Sequence, residues 1–396
     1  MIHRTATDTL LRLARGFPIL AITGPRQTGK TTLARATFPE KPYLSLEDPD
    51  LRELAEEDPR GLLARYPTGA ILDEVQRVPR LLSYLQTQVD AAPQPGAFVL
   101  TGSQQLEFSS ALTQSLAGRV GLVNLLPFSL GELQGASRLP EDLDDLLWRG
   151  LYPPLYDREL APGDWYSAYV STFVERDLRQ LLAVRDLSAF QRFVRLCAAR
   201  VGQLLNLSSL ATDCGITHPT AGAWLSVLEA SHLLFLLRPH HRNFNKRLVK
   251  TPKLYFNDTG LAAWLLGIRD ARQMAFHASR GALFENLVYL ECLKARLHAG
   301  LPPDLYFWRD SAGLEVDLLR EQGGTLHPIE IKSGQTVASD FFDGLRRWGA
   351  LAGRPEAESW LVYGGEHALQ RGATAIIPWR DLPGALERPH SDAPIE

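Results

Sequence analysis

Five short apolar runs divide the first 130 residues of the chain. Residues 17–23, 43–46, 69–72, 97–100 and 121–126 each read as a buried strand, and helical stretches separate them. Alternating strand and helix predicts a parallel sheet covered on both faces, with ligand bound at the carboxyl ends of its strands. Residues 134–146 are polar and acidic and are expected to form a loop or edge, and 147–200 read as helical. From 204 to 256 the rhythm is helix-turn-helix: a capped helix at Ser208, a turn at Gly215, a second helix from Thr217 with Pro219 near its start, and apolar Trp224, Val227 and Leu228. Strands at 233–237 and 253–256 follow. Further on, the period becomes two. Glu315 and Asp317 share one strand face against Val316 and Leu318; after Gly323-Gly324, Glu330 and Lys332 share a face while Ile329 and Ile331 go to the core.

Chemistry collects where the strands end. Gly24-Pro25-Arg26-Gln27-Thr28-Gly29-Lys30-Thr31-Thr32 follows the first strand and opens a helix, the G-x-x-x-x-G-K-T pattern of a phosphate-binding loop. The glycines permit a turn whose N–H groups face phosphate oxygens, and the helix N-terminus adds its dipole. Composition allows only about 0.004 chance matches per chain, so the pattern is specific. These nine residues are the expected nucleotide site, with Lys30 reaching the β and γ phosphates of ATP and the Thr31 hydroxyl on Mg²⁺. The third run ends in Asp73-Glu74, where Asp73 is expected to hold Mg²⁺ through water and Glu74 to polarise the attacking water as general base. The fourth ends in Thr101-Gly102-Ser103; a strand lying between the first and third would hold Ser103 or Thr101 near the γ phosphate.

The 396 residues are 45% hydrophobic and 22% charged, which excludes disorder, collagen and coiled coil and allows two to four domains. No apolar run approaches the roughly 18 residues of a bilayer span, and the first residues lack a signal peptide's apolar stretch, so a soluble cytoplasmic protein is expected. Cys197, Cys214 and Cys292 lie far apart and read as buried reduced thiols. A net charge of -3 conceals one basic run, 238–253. There Arg242, Lys246, Arg247 and Lys250 are candidate DNA phosphate contacts, with Phe244 available to stack; a solvated hairpin tip or an interdomain surface is the other reading. Of the 42 basic residues only seven are lysines, Lys30, Lys41, Lys246, Lys250, Lys253, Lys294 and Lys332, which singles out each of them.

With Ser-Leu-Ala-Gly-Arg-Val (115–120), Leu-Pro-Phe-Ser-Leu (126–130), Phe-Val-Glu-Arg-Asp (173–177), Pro-Lys-Leu-Tyr-Phe-Asn-Asp-Thr-Gly-Leu (252–261), Gly-Ala-Leu-Phe-Glu-Asn (281–286) and Pro-Ile-Glu-Ile-Lys-Ser-Gly (328–334), the chain resembles a family over almost its whole length. The family is that of bacterial and archaeal AAA+ ATPases with a middle winged helix and a C-terminal PD-(D/E)XK nuclease-like domain. The resemblance implies an α/β protein: a P-loop AAA+ core with a parallel sheet (1–135), a helical lid or connector (136–203), a winged helix-turn-helix (204–260), a restriction-endonuclease-like α/β domain (261–384) and a disordered tail (385–396). It implies that Arg119 is an arginine finger on a neighbouring subunit's ATP, hence a homo-oligomer such as a hexameric ring.

It further implies that Asp317 and Glu330 coordinate Mg²⁺, that Lys332 orients or activates water, and that Glu285 adds an outer carboxylate. E-x-K alone is uninformative, with about 0.4 chance occurrences; the weight rests on the ordered set. Glu175-Arg176-Asp177 reads as a lid contact or a salt-bridged helix face and is assigned no catalytic role. The expected function is an oligomeric Mg²⁺-dependent ATPase that binds and remodels or translocates on DNA, with a metal-dependent nuclease domain as an added activity. The alternative is a nucleotide-switched regulatory or defence scaffold that acts on a protein partner and carries an inert nuclease-like domain.

Overall fold

The computed structural model describes residues 1–103, 116–158, 160–173, 186–240, 249–354 and 358–387. Strands β1 (Ile19–Gly24), β2 (Tyr43–Ser45), β3 (Ile71–Asp73), β4 (Phe98–Ser103) and β5 (Val120–Asn124) form a five-stranded sheet in the order β2-β3-β4-β1-β5, every pair parallel. The expected strands are all present, and β4 does lie between β1 and β3. Strand alternation divides the core into two layers. Ile19 and Ala21 pack with Leu72, Leu100 and the helix Leu81–Ala91 on one face, whereas Leu20 and Ile22 pack with Leu10, Leu33 and Val123 on the other.

Beyond β5 the chain turns into short helices, and the loop or edge expected over 134–146 is confined to 136–142. Ser129 and Glu132 form a capping box on the helix Leu130–Gly135, and the Asp142 side chain accepts the N–H groups of Asp144 and Asp145 to start the helix Leu143–Arg149. Of the acids that suggested a loop, Asp144 and Asp145 lie in that helix's first turn, where its dipole favours negative charge.

Asn206 caps the helix Leu207–Cys214, Gly215 ends it at a φ of +69°, and Thr217 caps the helix His218–Ala230. Strands β6 (Leu234–Leu237) and β7 (Lys253–Phe256) then pair antiparallel. Trp224 packs edge-on against Phe190 and Phe193 of the helix Leu187–Ala198. Cys197, Cys214 and Cys292 are buried and free, as expected.

The last unit is a mixed sheet of β8 (Leu305–Arg309), β9 (Glu315–Gln322), β10 (Thr325–Lys332), β11 (Ser359–Tyr363), β12 (Leu369–Arg371) and β13 (Thr374–Pro378), in the order β12-β13-β11-β10-β9-β8. The buried helix Arg280–His298 packs against it and reaches back to the first unit. Residues 382–387, whose C-terminal half was expected to start a disordered tail, form the helix Leu382–Glu387, anchored by fully buried Leu382. The rest of that tail lies outside the described residues. Among the described residues no helix is long and apolar enough to cross a membrane.

One carboxylate joins three segments of the middle region. Asp258 is fully buried and accepts from Leu151 N at 2.6 Å, Leu261 N at 2.8 Å and the Tyr166 hydroxyl at 2.5 Å. Replacing it with alanine leaves buried donors unmatched, and Asp258→Ala is expected to cost about 2 to 4 kcal/mol, read as a lowered urea midpoint at unchanged m. A midpoint within error of the parent would contradict this role.

Candidate functional site

β1 enters the phosphate loop at Gly24, where φ is +143° and a Cβ would stand 2.2 Å from the Leu125 carbonyl oxygen. Only glycine allows the loop to turn this close to the segment leaving β5. Gln27 (φ +63°) and Gly29 (φ +87°) complete the turn, and the helix Lys30–Thr37 begins immediately after, its first N–H groups open to the loop. Lys30 is 5% exposed, and its Nζ donates to the carbonyls of Gly24 at 3.1 Å and Pro25 at 2.7 Å. The ammonium is folded back on its own loop. Burial lowers its pKa to about 8 against the opposing pull of Glu74 and Asp73, and an anion entering the loop would raise it again.

Asp73, at the end of β3, collects hydroxyl donors. Thr31 Oγ1 donates to Oδ1 at 2.7 Å, Thr101 Oγ1 donates to the same oxygen, and the Tyr43 hydroxyl donates to Oδ2 at 2.8 Å. Of the two expected β4 residues, Thr101 is the one seen at Asp73. The side chain of Ser103 lies outside the description, although its backbone pairs with Gly24. Glu74 has a φ of +56°, an uncommon value for a residue with a side chain; its N–H donates to Thr101 Oγ1 at 3.3 Å and its carboxylate accepts from the Gln76 amide. Thr31 and Asp73 thus set two hard oxygen donors side by side, a pair that fits Mg²⁺.

Arg119 is placed elsewhere. It precedes β5 at the amino end of the sheet, opposite the loop after Gly24, and its guanidinium grips Asp90 at 2.5 and 2.9 Å. It does not join its own chain's loop.

Several residues of the site have no sequence motif. Arg4 is 6% exposed and donates to Glu132 Oε1 at 3.0 Å, to the Thr28 carbonyl at 2.8 Å and to the Leu126 carbonyl at 2.6 Å. Burial works against the charge on Glu132, yet Arg4 and the N–H groups of Ser129 and Thr5 hold its pKa near 2. His298 closes the arrangement. Its Nε2 accepts from Leu126 N at 3.4 Å, which leaves the ring proton on Nδ1, 3.1 Å from Thr5 Oγ1. Burial pushes its pKa down to about 4, so its 3.8 Å approach to Glu132 is that of a neutral ring. Lys294 and Glu291, on the same helix, bond to the Phe128 carbonyl at 2.7 Å and Leu130 N at 2.8 Å.

The middle region covers the loop's other side. Trp165 Nε1 donates to Gln27 Oε1 at 3.1 Å, and Arg26 lies 5.4 Å from the Phe173 ring centre. His232 is lowered to about 4, by burial first and then by the charge of Lys30. A cavity of about 450 Å³ opens beside the loop between Ile2, His3, Thr28, Phe128, Pro153 and Arg158, within the size range of small-molecule sites. Sequence spacing marked none of Arg4, Tyr43, Trp165, His232 and His298, because their relevance arises only from folding.

A second cluster lies in a cleft of about 750 Å³ on the last unit. Asp317, Glu330 and Lys332 line it together with Glu315, whereas Glu285 is not on its lining, and two lysines pair with these acids. Lys332 Nζ is 2.6 Å from Glu330 Oε1 and 3.6 Å from Asp317 Oδ2; Lys253 Nζ, from β7, is 2.7 Å from Glu285 Oε1 and 2.5 Å from Glu315 Oε1. Burial disfavours the charge on Lys253, but Glu285, Asp317 and Glu315 raise its pKa above the ordinary value. Burial and Asp317 push Glu330 up to about 8. Among the described residues no group of three or more His, Cys, Asp or Glu is placed to hold a metal ion. Of the expected Mg²⁺ ligands, Glu285 pairs with Lys253 and Glu330 with Lys332, while one oxygen of Glu330 keeps no hydrogen-bond partner among the described residues. Of the expected DNA contacts, Lys250 is exposed, and Arg242, Lys246 and Arg247 lie outside the described residues, as does Glu175-Arg176-Asp177.

A family model described as "AAA domain" matches residues 16–134, and two models described as domains of unknown function (DUF8612 and DUF4143) match 140–272 and 280–382. Uncharacterized protein Rv2008c of Mycobacterium tuberculosis and uncharacterized protein Mb2031c of Mycobacterium bovis are each 33% identical over 380 residues, covering 94% of this chain and 82% of theirs. Among solved structures, a Walker-type ATPase of Pyrococcus abyssi aligns with 16% identity and a TM-score of 0.41, covering 67% of this chain and 96% of that one.

The buried neutral ring of His298 carries a pH signature. Its pKa drops from 6.5 to about 4 on folding, so the unfolded chain takes up the proton first. Its stabilisation is complete above about pH 6.5 and is lost as pH falls toward 4, by on the order of 3 kcal/mol. His232 shifts the same way. Because Glu330, raised to about 8, gains stability over the same interval, the test is a comparison: the midpoint of the parent minus that of His298→Gln should shrink as pH drops from 6.5 to 4.5. A difference that is constant across this range would contradict the assignment.

Proposed function

Because the chain belongs to the AAA-domain family of the mycobacterial proteins Rv2008c and Mb2031c, we propose that it is a Mg²⁺-dependent ATPase that works as an oligomer and acts on DNA through its middle unit. The observation that carries this reading is the meeting of Lys30, Thr31, Asp73 and Thr101 at the carboxyl end of one parallel sheet. Lys30 exchanges the Gly24 and Pro25 carbonyls for β and γ phosphate oxygens, and the loop's N–H groups take the remaining charge. Thr31 and Asp73 would hold Mg²⁺, which would supply charge neutralisation at those oxygens. Glu74 takes a proton from the attacking water, its carboxylate steadied by Gln76. Arg119, at the opposite end of the strands from its own loop, serves the site of a neighbouring subunit and must leave Asp90 to do so. A ring is the assembly that lets every subunit do this.

In the same reading, residues 136–203 are the lid and 204–260 a winged helix-turn-helix whose basic arm, with Arg242, Lys246, Arg247 and Lys250, meets phosphates. Residues 261–384 are a nuclease-like domain. The lysines seated among its carboxylates favour a second reading for that domain, an inert platform in a nucleotide-switched scaffold that acts on a protein partner.

The test is steady-state ATP hydrolysis with and without single-stranded, duplex and branched DNA. The parent should hydrolyse ATP and be stimulated by at least one DNA, Lys30→Ala should lose ATP binding, and Glu74→Gln should bind ATP but turn over about 10²-fold or more slowly. Turnover indifferent to every DNA would favour the scaffold, and absence of hydrolysis in the parent would overturn the enzyme reading.

A further inference from the structure

The lysine that ends the basic arm does not face solvent. Lys253 is 3% exposed and belongs to β7 in the middle hairpin, yet its ammonium pairs with acids of the last unit, one of which, Glu315, lines the cleft. There it bridges carboxylates from two elements, Glu285 on the helix Arg280–His298 and Glu315 on β9. Tyr255, two residues on along β7, donates to the same Glu285 oxygen at 2.6 Å, and Arg309 takes the other oxygen of Glu315 at 2.8 Å. The hairpin is also stitched to the neighbouring sheet edge: His240 N donates to the Phe307 carbonyl at 2.7 Å and Phe307 N to the Arg238 carbonyl at 3.2 Å. Lys253 is therefore delivered by a braced backbone.

We propose that Lys253 is the resident cation of this cleft, supplied by the middle hairpin in place of a divalent ion, and that it silences the cleft as a metal site. Divalent cations need several oxygen ligands, about six for Mg²⁺ at close to 2.1 Å. Here two of the oxygens that would serve are taken. Glu285 Oε1 already accepts from Lys253 and Tyr255, and Asp317 Oδ2 accepts from Ile331 N at 2.9 Å and faces Lys332. A tethered ammonium competes at high effective concentration, and a buried charge holds its place when several carboxylates surround it.

The cleft retains what a cation would use once the ammonium is gone. Glu330 is 8% exposed, and its Oε2 is buried without a hydrogen-bond partner among the described residues. With Asp317 and Glu315 it lines the 750 Å³ cleft. Removing one positive charge releases an oxygen each of Glu285 and Glu315 beside it. Lys253 thus brings its share of the positive charge from a different part of the chain, whereas Lys332 lies on β10 itself.

The experiment is Mn²⁺ binding to the full-length, nucleotide-free protein, read from the free-ion electron paramagnetic resonance signal. The parent should show no Asp317-dependent site up to about 1 mM Mn²⁺. Lys253→Met should gain one, at least about tenfold tighter, and adding Asp317→Asn should abolish it. Lys253→Gln, which keeps a hydrogen-bonding tip without charge, should gain the same site and covers the case in which the methionine variant fails to fold. Parent binding that Asp317→Asn removes would overturn the proposal, whatever the variants do. So would folded Lys253 variants, with unaltered circular dichroism, that gain no Mn²⁺. If neither variant folds, the parent titration decides: no Asp317-dependent site supports the exclusion, and its presence refutes it.

Discussion

The buried ion pair between Arg4 and Glu132 is the contact on which the arrangement of the molecule turns. Arg4 belongs to the N-terminal segment, Glu132 to the first helix after the parallel sheet, and the remaining guanidinium donors go to the phosphate loop and to the segment leaving β5. Such a pair is costly to desolvate, and it is tolerable here because nearly every polar atom is matched: Glu132 also accepts from Thr5 and Ser129. Removing either partner would strand the other, so the loop conformation depends on residues with no phosphate chemistry of their own.

That pair continues into the last unit through one helix. His298, Lys294 and Glu291 bind the segment that carries Glu132, while Asn286 pairs with both backbone groups of Phe256 and Glu285 meets Lys253. From Glu285 to His298 is about 20 Å of continuous helix. One rigid element therefore touches the support of the nucleotide loop at one end and the lysine-filled cleft at the other. Trp165 and His232 add a second connection from the middle region to the loop. Occupancy of the loop has physical routes to both other units.

Much of this was legible from the amino-acid order. Apolar runs ending in polar residues located the five parallel strands, and the phosphate-loop pattern placed Lys30 and Thr31 opposite Asp73 because strand ends in a parallel sheet converge. The rarity of lysine was also informative: Lys30, Lys253 and Lys294 are all buried and bonded. What could not be read were pairings between distant segments. Arg4 and Glu132 are 128 residues apart, and Tyr43 reaches Asp73 only because β2 lies beside β3. Lys253 read as the end of a basic run with three uses open, DNA phosphates, a solvated tip or an interdomain surface, and nothing local shows that the last holds for it because its strand faces the acids of another unit. The acids after Asp142 were mistaken for a loop for the opposite reason: composition was weighed and capping geometry was not.

Hydrogen–deuterium exchange of the full-length protein with and without Mg²⁺ and a non-hydrolysable ATP analogue tests the connection most directly. If the loop is held by Arg4, Glu132 and His298, the analogue will slow exchange over residues 24–31 and also over 126–132 and 291–298. Protection confined to the phosphate loop, or none at all, would contradict it.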